Sequence, residues 1–152
     1  MEHMASAVLG DEVVCSVERA VHVLGARWTP LILRELYYGC TRFDEIRQRL
    51  GIATNLLTTR LGDLVESGVI ERVPYKDGHA RTRHEYRLTA AGRDTLLILG
   101  ALQQWGDRHQ PRTKGPSVLR RRRGGGGQLR VAFVDEEGRE VALDDVEMVP
   151  AN

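Results

Sequence analysis

A chain of 152 residues, 41% apolar, 28% charged and 5% aromatic, is about one domain long, with a core that must lean on Leu, Val and Ile. Its formal net charge of +1 balances 22 basic against 21 acidic side chains, so the total by itself names no partner. Two cysteines are too few for a disulfide framework and no stretch approaches the roughly 20 apolar residues of a bilayer span; secreted, collagen-like, coiled-coil and membrane classes are set aside, and a cytoplasmic domain without an export leader is expected.

Ser16 suits the N-cap of a first helix whose apolar residues Val17, Ala20, Val21 and Leu24 fall at helical spacing, with Gly25 as its stop. Thr29 followed by Pro30 reads as a cap with proline at the first helical position. Leu31, Ile32, Leu33, Leu36 and Tyr37 make that second helix apolar nearly all round, hence buried, up to Gly39. A short helix follows from about Phe43 to Leu50. Gly51-Ile52-Ala53 then connects to a helix capped by Thr54 and running to about Ser67, with a buried stripe of Leu57, Leu61, Leu64 and Val65. Two helices joined by three or four residues that include glycine form a helix-turn-helix.

Beyond Gly68 the period changes to two. Val69 to Val73 reads as a strand that Pro74 should limit, and His84 to Leu88 as its partner. The polar, basic segment between them carries an Asp77-Gly78 turn signal, so the hairpin is a wing. Thr89 caps a long helix to about Gln110, with Pro111 just past its end. Leu129 to Val134 alternates like a strand, 135–139 reads as a turn, and Glu140 to Leu143 returns, with a little more strand expected to Val149. The fold class is mainly α with a small β wing, a winged helix-turn-helix with a short C-terminal β appendage. Its divisions are 12–110 for DNA binding and dimerisation, 111–128 as a basic glycine-rich linker, and 129–152 as an acidic hairpin-like tail.

Charge is segregated along this order. Residues 41–93 carry ten basic and seven acidic side chains, 112–130 seven basic and none acidic, and 131–152 one basic and seven acidic. A basic stretch can neutralise phosphates even in a neutral molecule. Arg120 to Arg123, followed by Gly124 to Gly127, are either a flexible DNA-binding arm or a dock for the acidic tail.

With its three leucines buried, the helix opened by Thr54 turns Asn55, Thr58, Thr59, Gly62 and Glu66 outward. Short polar side chains near a helix N-terminus suit a major groove: Asn55 for adenine, Thr58 or Thr59 for a thymine methyl or a phosphate. Arg60 flanks this face and either reaches a phosphate or pairs with an acidic neighbour. Lys76, His79, Arg81 and Arg83 cluster on the wing, where basic residues lie along the backbone or enter the minor groove. Arg42 is a further phosphate candidate. Leu96, Leu99, Leu102 and Trp105 give the terminal helix more apolar surface than one small domain needs, which points to a homodimer and a pseudo-palindromic operator. Trp28 and Trp105 read as core or interface residues. No glycine-rich phosphate loop, nucleophile elbow or paired-histidine motif suggests an enzyme, a metal or a cofactor.

From Cys15 to Gly106 the chain resembles the HxlR-type family of bacterial winged helix-turn-helix regulators. The features that carry the resemblance are, in order, a cysteine before the first helix, Gly25-Ala26-Arg27-Trp28-Thr29, Ile32-Leu33-Arg34-Glu35-Leu36 and Arg42-Phe43-Asp44-Glu45-Ile46. They continue with Leu57-Thr58-Thr59-Arg60-Leu61, Gly68-Val69-Ile70-Glu71-Arg72 and Glu85-Tyr86-Arg87-Leu88-Thr89. The resemblance implies a dimeric DNA-binding repressor or activator; several such proteins respond to oxidants, aldehydes or quinones. It also raises Cys15, at the positive end of the first helix, as a redox or electrophile sensor, against an inert thiol; Cys40 reads as packing. Three departures stand out: Ala80-Arg81-Thr82-Arg83 where a Pro-Pro-Arg run is usual, Gly62 at a commonly long polar position, and the tail beyond Pro111. The rival readings are a winged-helix module for protein or RNA, and a small-molecule-binding regulator or carrier without a redox switch.

Overall fold

A computed structural model describes residues 9–78 and 81–151, with Asp77 described by its backbone alone. Helix α1 spans Ser16–Leu24, α2 Thr29–Tyr37, α3 Phe43–Leu50 and α4 Thr54–Glu66. Strands β1 (Ile70–Asp77) and β2 (Arg81–Leu88) form an antiparallel ribbon, and α5 covers Ala90–His109. Beyond it come β3 (Phe133–Val134), β4 (Glu140–Val141) and a single 3-10 turn, Leu143–Asp145. The fold is a winged helix-turn-helix followed by a small β appendage.

Two compact units divide the chain, Met1–Leu96 and Leu97–Asn152, the boundary falling inside α5. In the first, Ile32, Leu33 and Leu36 of α2 are buried, as are Ile46, Ile52, Leu57, Leu61, Leu64, Val69, Ile70 and Tyr86. The three leucines of α4 are those its periodicity assigns to the core. Tyr37 on α2 donates its hydroxyl to the carbonyls of Gly92 and Arg93 in the first turn of α5. A Cβ on Gly92 would collide with the Val69 carbonyl, so only glycine fits where this turn meets β1.

The helix starts differ from the sequence reading by one residue. Cys15, Trp28 and Ala53 hold the N-cap positions of α1, α2 and α4, and none makes a side-chain cap bond. Ser16, Thr29 and Thr54 are instead the first helical residues, where an N–H needs no intrahelical partner in any case. Thr89 does cap α5, its hydroxyl accepting the Gly92 N–H at 3.2 Å. The stops at Gly39 and Gly51 have φ of +87° and +68°, the left-handed geometry that favours glycine.

The wing is longer than expected. Strand β1 runs through Pro74, which pairs with His84. Each strand of a two-stranded ribbon has an open edge, so a residue without an N–H is tolerated there. Arg81 and Arg83 therefore stand on strand β2, opposite Asp77 and Tyr75. A third stretch joins the ribbon, Arg42 bridging to Glu85 and Tyr86 donating its N–H to Thr41.

In the second unit the strand expected over Leu129 to Val134 is confined to Phe133–Val134, and the further strand expected after residue 143 is the 3-10 turn. Leu129 to Val131 are fastened by other means. Leu129 N–H donates to Arg120, and Gln104 of α5 makes two bonds with the main chain of Val131, both at 2.9 Å. Among the described residues no helix is long and apolar enough to cross a membrane.

Candidate nucleic-acid interface

Helix α3 ends on Gly51, buried Ile52 sits in the turn, and Ala53 starts α4 with extended backbone. The buried leucines of α4 fix its rotation, so Asn55, Thr58 and Glu66 are exposed while Thr59 and Gly62 are half-buried. Thr58 donates its hydroxyl to the Thr54 carbonyl at 2.9 Å and Thr59 to that of Asn55 at 3.0 Å. With the donors turned inward, each threonine keeps lone pairs and a methyl group for a partner. Asn55 Oδ1 accepts the Leu56 N–H, leaving its amide NH2 outward as a donor. Thr54 is exposed at the mouth of the same helix, where unsatisfied N–H groups favour an anion.

Arg42 stands at the N-cap of α3, its guanidinium over the Tyr75 ring at 4.3 Å from the centroid. Tyr75 in turn faces Arg83 across the ribbon. Three side chains from α3, β1 and β2 are thereby brought together, and the stack sets the reach of Arg42. Tyr75 was not legible as part of the site, because its partner is distant in sequence. Lys76, Arg81 and Arg83 are exposed and form no ion pair among the described residues. His79 lies outside the described residues. At the wing's base Arg87 bonds Glu85, whose carboxyl is held below its ordinary value chiefly by that bond.

Of the two roles open to Arg60, the structure shows the acidic neighbour and adds a backbone partner. Its Nε donates to the Arg27 carbonyl at 3.0 Å and its guanidinium lies 3.9 Å from Asp63. Arg60 thus ties the middle of α4 to the turn between α1 and α2. That turn is strained: Trp28 has φ +80°, a left-handed conformation that is rare for a bulky side chain. The Trp28 ring is half-buried, with the Arg27 guanidinium 5.7 Å above it. The structure also shows a buried ion cluster that local pattern does not announce. Glu35 is 2% exposed and accepts from Arg34 at 2.8 Å and Arg49 at 2.5 Å, which links α2 to α3. Burial pushes its carboxyl up, but the two arginines outweigh that and hold it below the ordinary value.

Cys15 is exposed at the start of α1, and Arg19 one turn on ties down the approach to it by donating to the carbonyls of Leu9, Gly10 and Val13. Cys40 is buried, and burial, then a bond with Glu45, raises its thiol pKa. On α5, Leu96, Leu102 and Trp105 are more than half exposed, as is Leu97. Leu99 is half-buried and less available than its neighbours. Trp105 packs against His109, ring centroids 5.0 Å apart. On α1, Val17 and Val21 are also exposed.

A family model described as HxlR-like helix-turn-helix matches residues 23–114. An uncharacterised HTH-type transcriptional regulator of Mycobacterium tuberculosis is 48% identical over 103 residues, 68% of this chain and 64% of that protein. The matched part thus spans less than two thirds of that relative's length. Among solved structures, PA1607, a candidate transcription factor, is 34% identical with a TM-score of 0.80, covering 93% of this chain and 98% of that one. The redox regulator HypR in its reduced form is 28% identical with a TM-score of 0.58, covering 63% of this chain and 94% of that one.

Proposed function

The chain belongs to the HxlR-like helix-turn-helix family, and on that premise we propose that it regulates transcription in the cytoplasm by binding a pseudo-palindromic operator in duplex DNA as a homodimer. The observation that carries this reading is the outward face of α4. Asn55 and Thr58 stand exposed at the N-terminal end of a helix whose leucines leave it one rotation, beside a wing whose Lys76, Arg81 and Arg83 have no acidic partner among the described residues. Asn55 and the threonines read base edges; Arg42, Lys76, Arg81 and Arg83 meet phosphates; Arg60 positions α4 from behind.

Dimer formation is supported by apolar side chains left to solvent on α1 (Val17, Val21) and α5 (Leu96, Leu102, Trp105). The relatives are named as transcriptional regulators, not as enzymes. An electrophile response through Cys15 rests on two points: the thiol is exposed at the start of an exposed helix, and HypR is described as a redox regulator. The alternative effector is a small molecule that binds without covalent change. The test is binding of the purified chain to its own genome in fragments. Footprints should recur on inverted repeats with half-sites about one helical turn, or a multiple, apart. Equal affinity for every fragment would remove the regulator reading.

A further inference from the structure

Residues 120–131 close a small hairpin within the second unit. Arg121 and Gln128 form an antiparallel bridge, and the Leu129 N–H donates to the Arg120 carbonyl at 2.8 Å. Gly124, Gly125 and Gly126 follow one another at φ of +83°, +106° and +131°. Side-chain-bearing residues rarely adopt such angles, so the turn depends on its glycines. The stem is fixed to α5. Gln103 accepts from Arg120 at 2.6 Å and donates to the Val118 carbonyl at 2.7 Å, and Gln104 grips Val131. A Cβ on Gly100 would stand 3.3 Å from both Arg120 and Val131, so the stem lies close against the helix there.

This frame separates the four arginines. Arg120 is a stem residue, with Nε buried and its guanidinium on Gln103. Arg121, Arg122 and Arg123 are exposed. Asp135 and Glu137 pair with Arg139, Glu140 pairs with Arg130, and no ion pair joins residues 121–123 to a carboxylate among the described residues. Three adjacent guanidinium groups on this turn, without an ion-pair partner among the described residues, repel one another, and a polyanion would relieve that repulsion. The four glycines add no side chains to hold that polyanion away.

We propose that the Arg121–Gln128 loop is a second DNA contact, separate from the helix-turn-helix and its wing, that grips the phosphate backbone without reading sequence. It rests on the reading of the chain as a duplex-DNA binder. The test compares R121Q/R122Q/R123Q, its lysine counterpart R121K/R122K/R123K and the wing variant R81Q/R83Q, each as the full chain, on promoter and random duplexes across a salt series. The slope of log affinity against log salt should fall in the glutamine variant by about 0.9 for each lost phosphate contact, up to about 5 for three contacts from each of two protomers. The loss should be the same factor on both duplexes, and the lysine variant should keep the slope. An unchanged slope in the glutamine variant, with a reduced one in R81Q/R83Q, overturns the loop contact and leaves DNA binding standing. A glutamine variant that loses thermal stability but keeps its slope assigns the arginines to the tail instead and equally overturns it. A wild-type chain that binds neither duplex overturns both readings.

Discussion

Replacing Glu35 by glutamine should cost about 2 kcal/mol at neutral pH, and the cost should vanish in acid. The carboxylate is 2% exposed and uses both oxygens, one for Arg34 at 2.8 Å and one for Arg49 at 2.5 Å. Glutamine keeps the shape but offers one oxygen, and its NH2 must face guanidinium donors. A charge-assisted bond is lost and a buried donor is left unsatisfied, each worth about 1–3 kcal/mol. Two terms offset this. The buried charge no longer has to be desolvated, and Arg34 and Arg49, 41% and 49% exposed, can turn to water. Since the folded carboxyl titrates below its ordinary value of 4.5, its contribution is fully present above that value and is lost as pH falls through the lower, folded one. Thermal or urea unfolding of wild type and Glu35→Gln from pH 7 to pH 3 reads both effects; about 2 kcal/mol corresponds to roughly 4–8 °C in a chain of this size. Equal stability at pH 7, or a gap unchanged at pH 3, would refute the argument that two arginines hold a buried charge in place.

The stack of Arg42 on Tyr75 predicts that Tyr75→Phe leaves DNA affinity near wild type while Tyr75→Leu lowers it several-fold, measured by fluorescence anisotropy. On an Arg42→Gln background the Leu substitution should add little, because the positioned group is already gone. Cys15, exposed, should be alkylated well before Cys40, whose buried thiol titrates above its ordinary value; mass spectrometry of partly labelled protein decides the order. Light scattering at micromolar concentration should give twice the 17.1 kDa chain mass, and Trp105→Glu should shift the protein towards monomer.

How far the sequence could be read depended on the range of the contact involved. Helices α2 to α4 and the outward face of α4 follow from the spacing of Leu57, Leu61 and Leu64 and from glycine stops such as Gly51. Cap positions slipped because Ser16, Thr29 and Thr54 are good cap types, whereas the chain leaves those caps without a side-chain bond. What local pattern could not show were pairings between distant elements. For Arg60 the sequence left a phosphate and an acidic neighbour open; the pair with Asp63 is local, but the bond to the Arg27 carbonyl, 33 residues away, is not. Tyr75 and Glu35 gained their meaning only from Arg42 and Arg49. The tail was over-read as strand, because alternation in Leu129 to Val134 does not distinguish strand pairing from the clasp of Gln104 on Val131.

If α4 reads sequence while the wing supplies charge, one paired measurement separates the two. Asn55→Ala and R81Q/R83Q are titrated against the operator and a scrambled duplex over a salt series. Asn55→Ala should narrow the preference for the operator by about 1–3 kcal/mol for each half-site, with its salt slope intact. R81Q/R83Q should weaken both duplexes alike and lower the slope by roughly 4, for two arginines from each of two protomers. Operator preference unchanged in Asn55→Ala, together with an unchanged slope in R81Q/R83Q, would contradict that division of roles.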